Sequence, residues 1–466
     1  MCNKLFEIVS HKLLEFQYLI TMFYSTLSPH RLLLLGFILI TFAGAFLLSL
    51  PIASASGNSQ SFIDALFVAT SAISTTGLTV VDLGSFYSLF GQIVILVLIQ
   101  IGGLGYMIFI VMVVLQLGVK LSLGGKLILE ESLSSPPYEE VSHFSKAIIF
   151  ITFLFEFLGA IALSLYWMRE FPVKHAVYLG IFHSVSAFCT AGFSLFPDNL
   201  NAYRDSIVIN VIIGILCIVG SVGFFVVYDV YNMVSRKKRE DEPPKKLLTH
   251  TKLVLIMLPI LIITGALLIC LSEWNTPLPS FKDRFLTATF QAISASTTTG
   301  FNTLDTGTVK TLGLATMVML MYIGASPGGT GGGVKTTTFG LLISSVISVI
   351  SMKDELIMFN RRISPRAKDK AFAICTIAIL LIALDIFILS VTEKATFMEI
   401  LFEIVSAFGT VGLSTGITPA LSVTGKIVLV ITMLIGRVGP LAIGFSIRGK
   451  CRLVPVKYPE GGILVG

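Results

Sequence analysis

Eight stretches of this chain run for about 20 residues with almost no charge, and few folds accept such a sequence. In water the runs would all have to hide from solvent at once. In a bilayer each can cross a hydrocarbon core of about 30 Å as a helix, at 1.5 Å per residue, satisfying its own backbone. The clearest windows are 32–52, 90–117, 146–168, 206–230, 251–272, 371–392 and 424–447, with an overlong one at 309–350. Of 466 residues, 54% are hydrophobic and 13% charged, against about a quarter charged in soluble domains. The expected fold is an all-α polytopic membrane protein with eight transmembrane helices.

The formal charge of +6 does not point to nucleic acid, because the basic residues are sorted by side. With the N-terminus inside, 23 of the 33 Lys/Arg fall in inner segments and 8 in outer ones, with Lys335 and Arg437 inside spans. That asymmetry predicts a multi-pass protein of the cell (inner or plasma) membrane with both termini cytoplasmic. The densest cluster, RKKREDEPPKK at 236–246, reads as a solvated inner loop or a lipid-headgroup contact. The six cysteines are scattered without a CxxC, so neither a metal site nor a disulfide framework is expected. Residues 1–30 lack a clean cleavage site and read as a retained, amphipathic cytoplasmic segment, and 451–466 as a cytoplasmic tail.

Between alternate spans lie four apolar segments too short to cross: 62–82, 176–198, 284–305 and 395–416. Each is an amphipathic run, a small pair such as Ser-Ala, a Ser/Thr-rich turn, then glycine and an apolar residue. The shared glycines, Gly77, Gly192, Gly300 and Gly412, are 115, 108 and 112 residues apart, the mark of internal repetition. An Ile/Val-Gly follows each after one inner-helix length, at Gly102, Gly220, Gly324 and Gly436, three times within a GxxG. The expected layout is four outer helix–pore helix–inner helix repeats (31–118, 145–235, 250–350 and 370–450) with pseudo-fourfold symmetry around one pore.

The turns have the residues a cation filter needs. A dehydrated monovalent cation must be given oxygens in place of its water, and backbone carbonyls do this without net charge. Aiming consecutive carbonyls at an axis requires a residue tolerant of positive φ, which is glycine. Each half-length helix adds the negative end of its dipole. The candidate filter is Thr75, Thr76, Gly77, Thr190, Ala191, Gly192, Thr298, Thr299, Gly300, Thr410, Val411 and Gly412, with the ion at the carbonyls of the four glycines. One such segment alone would read as small-residue helix packing; four in register do not.

The window 309–350 would make a helix of about 63 Å, twice the hydrocarbon thickness. It must break, and SPGGTGGG places the break between 309–323 and 334–350, the single long break expected in the chain. Gly328, Gly329, Gly331, Gly332 and Gly333 form a loop below the filter, able to lie across the path and move aside. Lys335 at membrane depth should face a wet cavity or a partner. Arg437, aligned with Ala325 of the third repeat, should face the same cavity. A phosphate-binding P-loop is excluded, since Val334 stands where Gly must precede the Lys and no strand leads in. Asp64 and Glu156 are candidate inter-helix partners, and Asp198 and Asp305 candidate attractors at the outer mouth. His183 and Glu403, on the pore helices, are candidates either for hydrogen bonds to the filter backbone or for plain packing. Nothing suggests an enzyme.

The turns TTGL, TAGF, TTGF and TVGL, with FPDNL after the second and FNTLD after the third, resemble the Trk/Ktr/HKT superfamily of potassium transporters from residue 31 to the C-terminus. GGLGYM at 102–107, HTKL at 250–253, GRVGPL at 436–441 and VKYPEGGILVG at 456–466 are most similar to the KtrB (NtpJ-type) branch; SASTTTGF is closer to TrkH. The resemblance implies potassium uptake down the electrochemical gradient, with the four turns as filter and the intramembrane loop near the arginine as gate. Sodium-preferring plant relatives carry serine at the first filter glycine, so four glycines favour potassium. It also implies a homodimer and a separate cytosolic RCK-type regulatory subunit of the KtrA/TrkA kind that binds nucleotide. The inner loops 236–246 and 361–370 are candidate docking surfaces. No cofactor is expected in the chain beyond K+ ions in the pore; a sodium dependence stays open. A sodium-selective uniporter of the same architecture is one alternative. An alternating-access symporter is another, disfavoured because it would need inverted halves with paired broken helices.

Overall fold

The structure, a computed structural model, describes residues 29–105, 141–235, 246–273, 281–353 and 355–441. The expectations for the N-terminal segment, most of the basic stretch 236–246 and the C-terminal tail therefore lie outside the described residues, as does the chain from 106 to 140.

Helices dominate. Besides a single turn at Leu83–Phe86, they are in chain order α1 (Pro29–Ser49), α2 (Phe62–Ile73), α3 (Leu89–Leu104), α4 (Val141–Trp167), α5 (Val173–Phe188), α6 (Ile207–Val222) and α7 (Phe224–Ser235), then α8 (Thr249–Ser272), α9 (Phe281–Ser296), α10 (Thr311–Ile323), α11 (Thr336–Ile350), α12 (Pro365–Thr392), α13 (Phe397–Gly409) and α14 (Val423–Val438). A two-residue hairpin, β1 (Ile357–Met358) against β2 (Arg361–Arg362), joins α11 to α12. Ser88, Ser206 and Ser422 cap α3, α6 and α14, each side chain accepting a backbone N–H of the first turn. Thr396 and Glu399 form a reciprocal capping box on α13.

The packing is that of a protein in lipid. Ser145–Trp167, Thr249–Ser272 and Pro365–Thr392 are each long and apolar enough to cross a membrane. They present large apolar side chains outward, such as Phe157 and Phe387, the latter 74% exposed. The interior is apolar as well, but it also holds hydroxyls: Thr75, Thr76, Thr190, Thr298, Thr299 and Thr410 are fully buried just past the C-terminal ends of α2, α5, α9 and α13. A water-soluble fold would not leave so much large apolar surface facing outward.

The windows 90–117, 206–230 and 424–447 were expected to run as continuous spans, with one break in the third repeat alone. The structure instead ends four helices at a glycine. α3, α6 and α14 have 16 residues each and stop at the last glycine of their GxxG, with φ of +74° at Gly105, +98° at Gly223 and +93° at Gly439. α10 stops at Gly324, φ +67°. At Gly223 the chain turns by 93° into α7. The cause lies next door: a β-carbon on Gly102, Gly220 or Gly436 would overlap the carbonyl oxygen of Ile73, Phe188 or Phe408, the ends of α2, α5 and α13. The glycines let α3, α6 and α14 each touch the end of the helix packed beside it, and the following positive φ lets the chain leave.

Candidate functional site

α2, α5, α9 and α13 end in one geometry. Thr75, Thr190, Thr298 and Thr410 are left-handed, with φ between +50° and +57°, rare for a β-branched residue. Each donates its N–H to the alanine three residues back, and the next residue donates to the serine five back: Thr76 to Ser71 at 2.7 Å, Ala191 to Ser186 at 2.8 Å, Thr299 to Ser294 at 2.9 Å and Val411 to Ser406 at 2.8 Å. This is a Schellman ending, normally given to glycine and here given four times to threonine. Two residues on come Gly77, Gly192, Gly300 and Gly412, with φ of +93°, +65°, +88° and +90°.

These four glycines form a ring. A β-carbon on Gly77 would overlap the Ala191 carbonyl oxygen; on Gly192, that of Thr299; on Gly300, that of Val411; and on Gly412, that of Thr76. The contacts run in chain order and close from the fourth turn to the first. Four stretches more than 100 residues apart thus bring carbonyls and glycines together in one closed ring, just past the C-terminal ends of four helices.

The loop after α10 lies against the four threonines. Thr75 Oγ1 donates to the Thr330 carbonyl at 3.0 Å, and Thr190 Oγ1 meets Thr330 Oγ1 at 2.9 Å. A β-carbon on Gly331 would overlap Thr298 Oγ1, and one on Gly332 would lie 2.5 Å from Thr410 Oγ1. The loop is tied to its surroundings by backbone. Ser326 and Thr330 donate to the Ser221 and Gly220 carbonyls at 3.1 Å, and Phe224 donates to Gly328 at 3.0 Å. Arg437 donates to two carbonyls, Thr330 in the loop and Gly102 at the end of α3. Lys335 Nζ donates to Gly331 O at 2.6 Å, across its own loop.

The candidate filter residues and the candidate gate residues are therefore brought together, one layer on the other. Asp64 and Glu156 tie helices to one another. Asp64 pairs with Lys426 at 2.6 Å, joining α2 to α14. Buried Glu156 accepts from Gln100 Nε2 at 3.0 Å, joining α4 to α3. Asp305 caps Gly307 at 3.0 Å, while Asp198 is exposed. Thr330 was missed by sequence reasoning; its one signal is that it alone interrupts the glycines between 328 and 333.

The family model described as TrkH, cation transport protein, matches residues 36–449. The chain is similar to Ktr system potassium uptake protein B of Bacillus subtilis, 38% identical, covering 94% of this chain and 97% of that one. It is similar also to potassium/sodium uptake protein NtpJ of Enterococcus hirae, 36% identical over 94% and 98% of the two chains. Among solved structures, the potassium transporter TrkH from Vibrio parahaemolyticus shares the fold, with a TM-score of 0.68 at 21% identity over 91% of this chain and 84% of the other.

Proposed function

The chain belongs to the TrkH family of cation transport proteins, a transporter and not an enzyme, and from that premise we propose that it is the potassium-translocating, channel-like subunit of an uptake system. Four repeats, 31–118, 145–235, 250–350 and 370–450, surround one pore in eight membrane crossings. The carbonyls of the four turns replace the ion's water, with Gly77, Gly192, Gly300 and Gly412 setting their direction. The loop from Gly328 to Gly333, with Lys335 and Arg437, closes the path below. Flux is passive: the membrane potential supplies about 2.3 kcal/mol per charge per 100 mV.

The observation that carries this reading is the ring of glycine–carbonyl contacts closing in chain order directly over the loop. The name of the Bacillus subtilis relative, a Ktr system potassium uptake protein, supports potassium as cargo and a multi-subunit system. On that basis a homodimer in the plasma membrane, both termini inside, carries a cytosolic nucleotide-binding partner. Exposed Arg361 and Arg362 on the β1–β2 hairpin lie on the face offered to it. A second reading, sodium sharing the path, is favoured by the relative named for both ions.

The test is potassium against sodium flux through the purified chain in liposomes, with Gly77→Ser alongside. At φ +93° a serine is strained and its β-carbon overlaps the Ala191 carbonyl, so that quarter of the ring must widen. Strong potassium preference that collapses in the variant is the expected outcome. Equal flux of both ions, indifferent to the variant, would overturn the filter assignment.

A further inference from the structure

Nine residues ahead of each turn glycine the four short helices carry Val68, His183, Gln291 and Glu403. All four side chains are completely buried. A polar group in that position is costly unless something bonds it, and in three helices the bond goes to one place, the chain just past the turn. His183 Nδ1 donates to the Leu179 carbonyl at 2.8 Å, which leaves Nε2 as the acceptor. Nε2 faces the Ser194 hydroxyl at 3.1 Å and the Leu195 N–H at 3.4 Å. Gln291, its amide turned so that the carbonyl oxygen faces them, accepts from the N–H groups of Thr303 at 3.0 Å and Leu304 at 3.2 Å. Glu403 Oε1 accepts from the hydroxyls of Ser414 and, at 2.7 Å, of Thr418.

An imidazole, an amide and a carboxylate thus do one job, presenting an acceptor to the strand that leaves the ring. The first turn has no such group, since Val68 offers no polar atom. Its Ser71 hydroxyl also has no partner among the described residues. The equivalent serines are engaged: Ser186 donates to Phe193 O at 2.8 Å, and Ser294 and Ser406 each accept at 3.1 Å from Gly300 and Gly412.

We propose that His183, Gln291 and Glu403 are positioning residues that set the ion selectivity of the second, third and fourth turns by fixing where the chain leaves each turn glycine. The inference rests on the reading of the ring as an ion filter. Carbonyls that can drift inward accommodate a smaller ion, and carbonyls held at fixed spacing discriminate against it. Pinning the exit strand limits the φ and ψ open to the glycine before it, and so the drift.

The test compares the potassium-to-sodium flux ratio of the reconstituted full chain with those of Gln291→Leu, Glu403→Leu, Glu403→Gln and the double variant Ser414→Ala/Thr418→Val. Both leucine variants and the double variant should lower the ratio about tenfold, the equivalent of one hydrogen bond of about 1.4 kcal/mol. Glu403→Gln keeps a carbonyl acceptor and should retain the ratio, which a merely space-filling role would not require. Should a leucine variant fail to fold, the double variant cuts the same bonds from the far side without touching the helix core. An unchanged ratio in the double variant, or a Glu403→Gln ratio as low as that of Glu403→Leu, overturns the proposal. A wild-type chain with no potassium preference overturns the filter reading itself, and this inference with it.

Discussion

Arg437 stands at the level where two kinds of information meet. A guanidinium at membrane depth is expensive on its own, and here its planar fork reaches two carbonyls from different parts of the chain, Thr330 and Gly102. It is thus a tie between the loop and the end of α3 as much as a positive charge beside the proposed path. Hydrogen bonds to charged groups contribute about 1.5–3 kcal/mol each. Arg437→Gln keeps at most one of them, so potassium flux through the chain alone should rise roughly tenfold; unchanged flux in liposomes would show that the tie does not hold the loop. Charge made Arg437 and Lys335 visible in the sequence. Thr330 was invisible by comparison, because a lone threonine among glycines has neither charge nor periodicity. Its partners Thr190 and Thr75 lie 140 and 255 positions away. The left-handed threonines were hidden for a related reason. Conformational preference assigns such a position to glycine, and only the Schellman bonds to the preceding Ser-Ala pair reveal that threonine fills it.

Among the elements, hydropathy placed the helices well and their ends poorly. An apolar window does not report where a helix stops when the chain beyond it stays apolar, as after Val222 and Val438. The GxxG motifs carried that information, but as close-approach sites whose partners, the ends of α2, α5 and α13, come from elsewhere in the sequence. Gly102→Ala tests the point. Alanine gains about 1 kcal/mol of helix propensity, yet its β-carbon must displace the Ile73 carbonyl, and overpacking of this kind costs about 1–3 kcal/mol. A lowered thermal midpoint in detergent is expected. Gly214→Ala, on α6, meets only Ile293 at 3.6 Å and should be neutral or slightly stabilising. Equal midpoints for the two variants would count against close approach as the reason for these glycines. The loop offers a complementary test: deleting Gly328–Gly333 removes the contacts with Thr75 and Thr190, so flux should rise and lose its dependence on a regulatory partner. Flux that stays low would mean that the path is closed elsewhere.

For the whole molecule, the ring exists only when four distant stretches are assembled, so an ion bound there, as proposed, must be linked to global stability. A ligand that binds the folded state alone stabilises it by an amount that grows with the logarithm of its concentration, about 2.7 kcal/mol at a hundred times its dissociation constant. The closing contact, from Gly412 to Thr76, joins the last turn to the first across the seam where Asp64 and Lys426 pair. On the proposed reading, an ion bridging the ring would hold that seam shut as well as the turns. The purified chain should therefore melt at a higher temperature in potassium chloride than in choline chloride of equal ionic strength, with sodium chloride between them or level with choline. Gly77→Ser, which disturbs the ring at this seam, should narrow the difference between potassium and sodium. Gly425→Ala offers a contrast, because its β-carbon would meet Glu393 rather than any turn; it should lower the midpoint in every salt and leave the difference intact. A midpoint that follows ionic strength and not the identity of the cation would mean that the four turns hold no ion in the folded state, and the assignment of the ring as the ion site would fall.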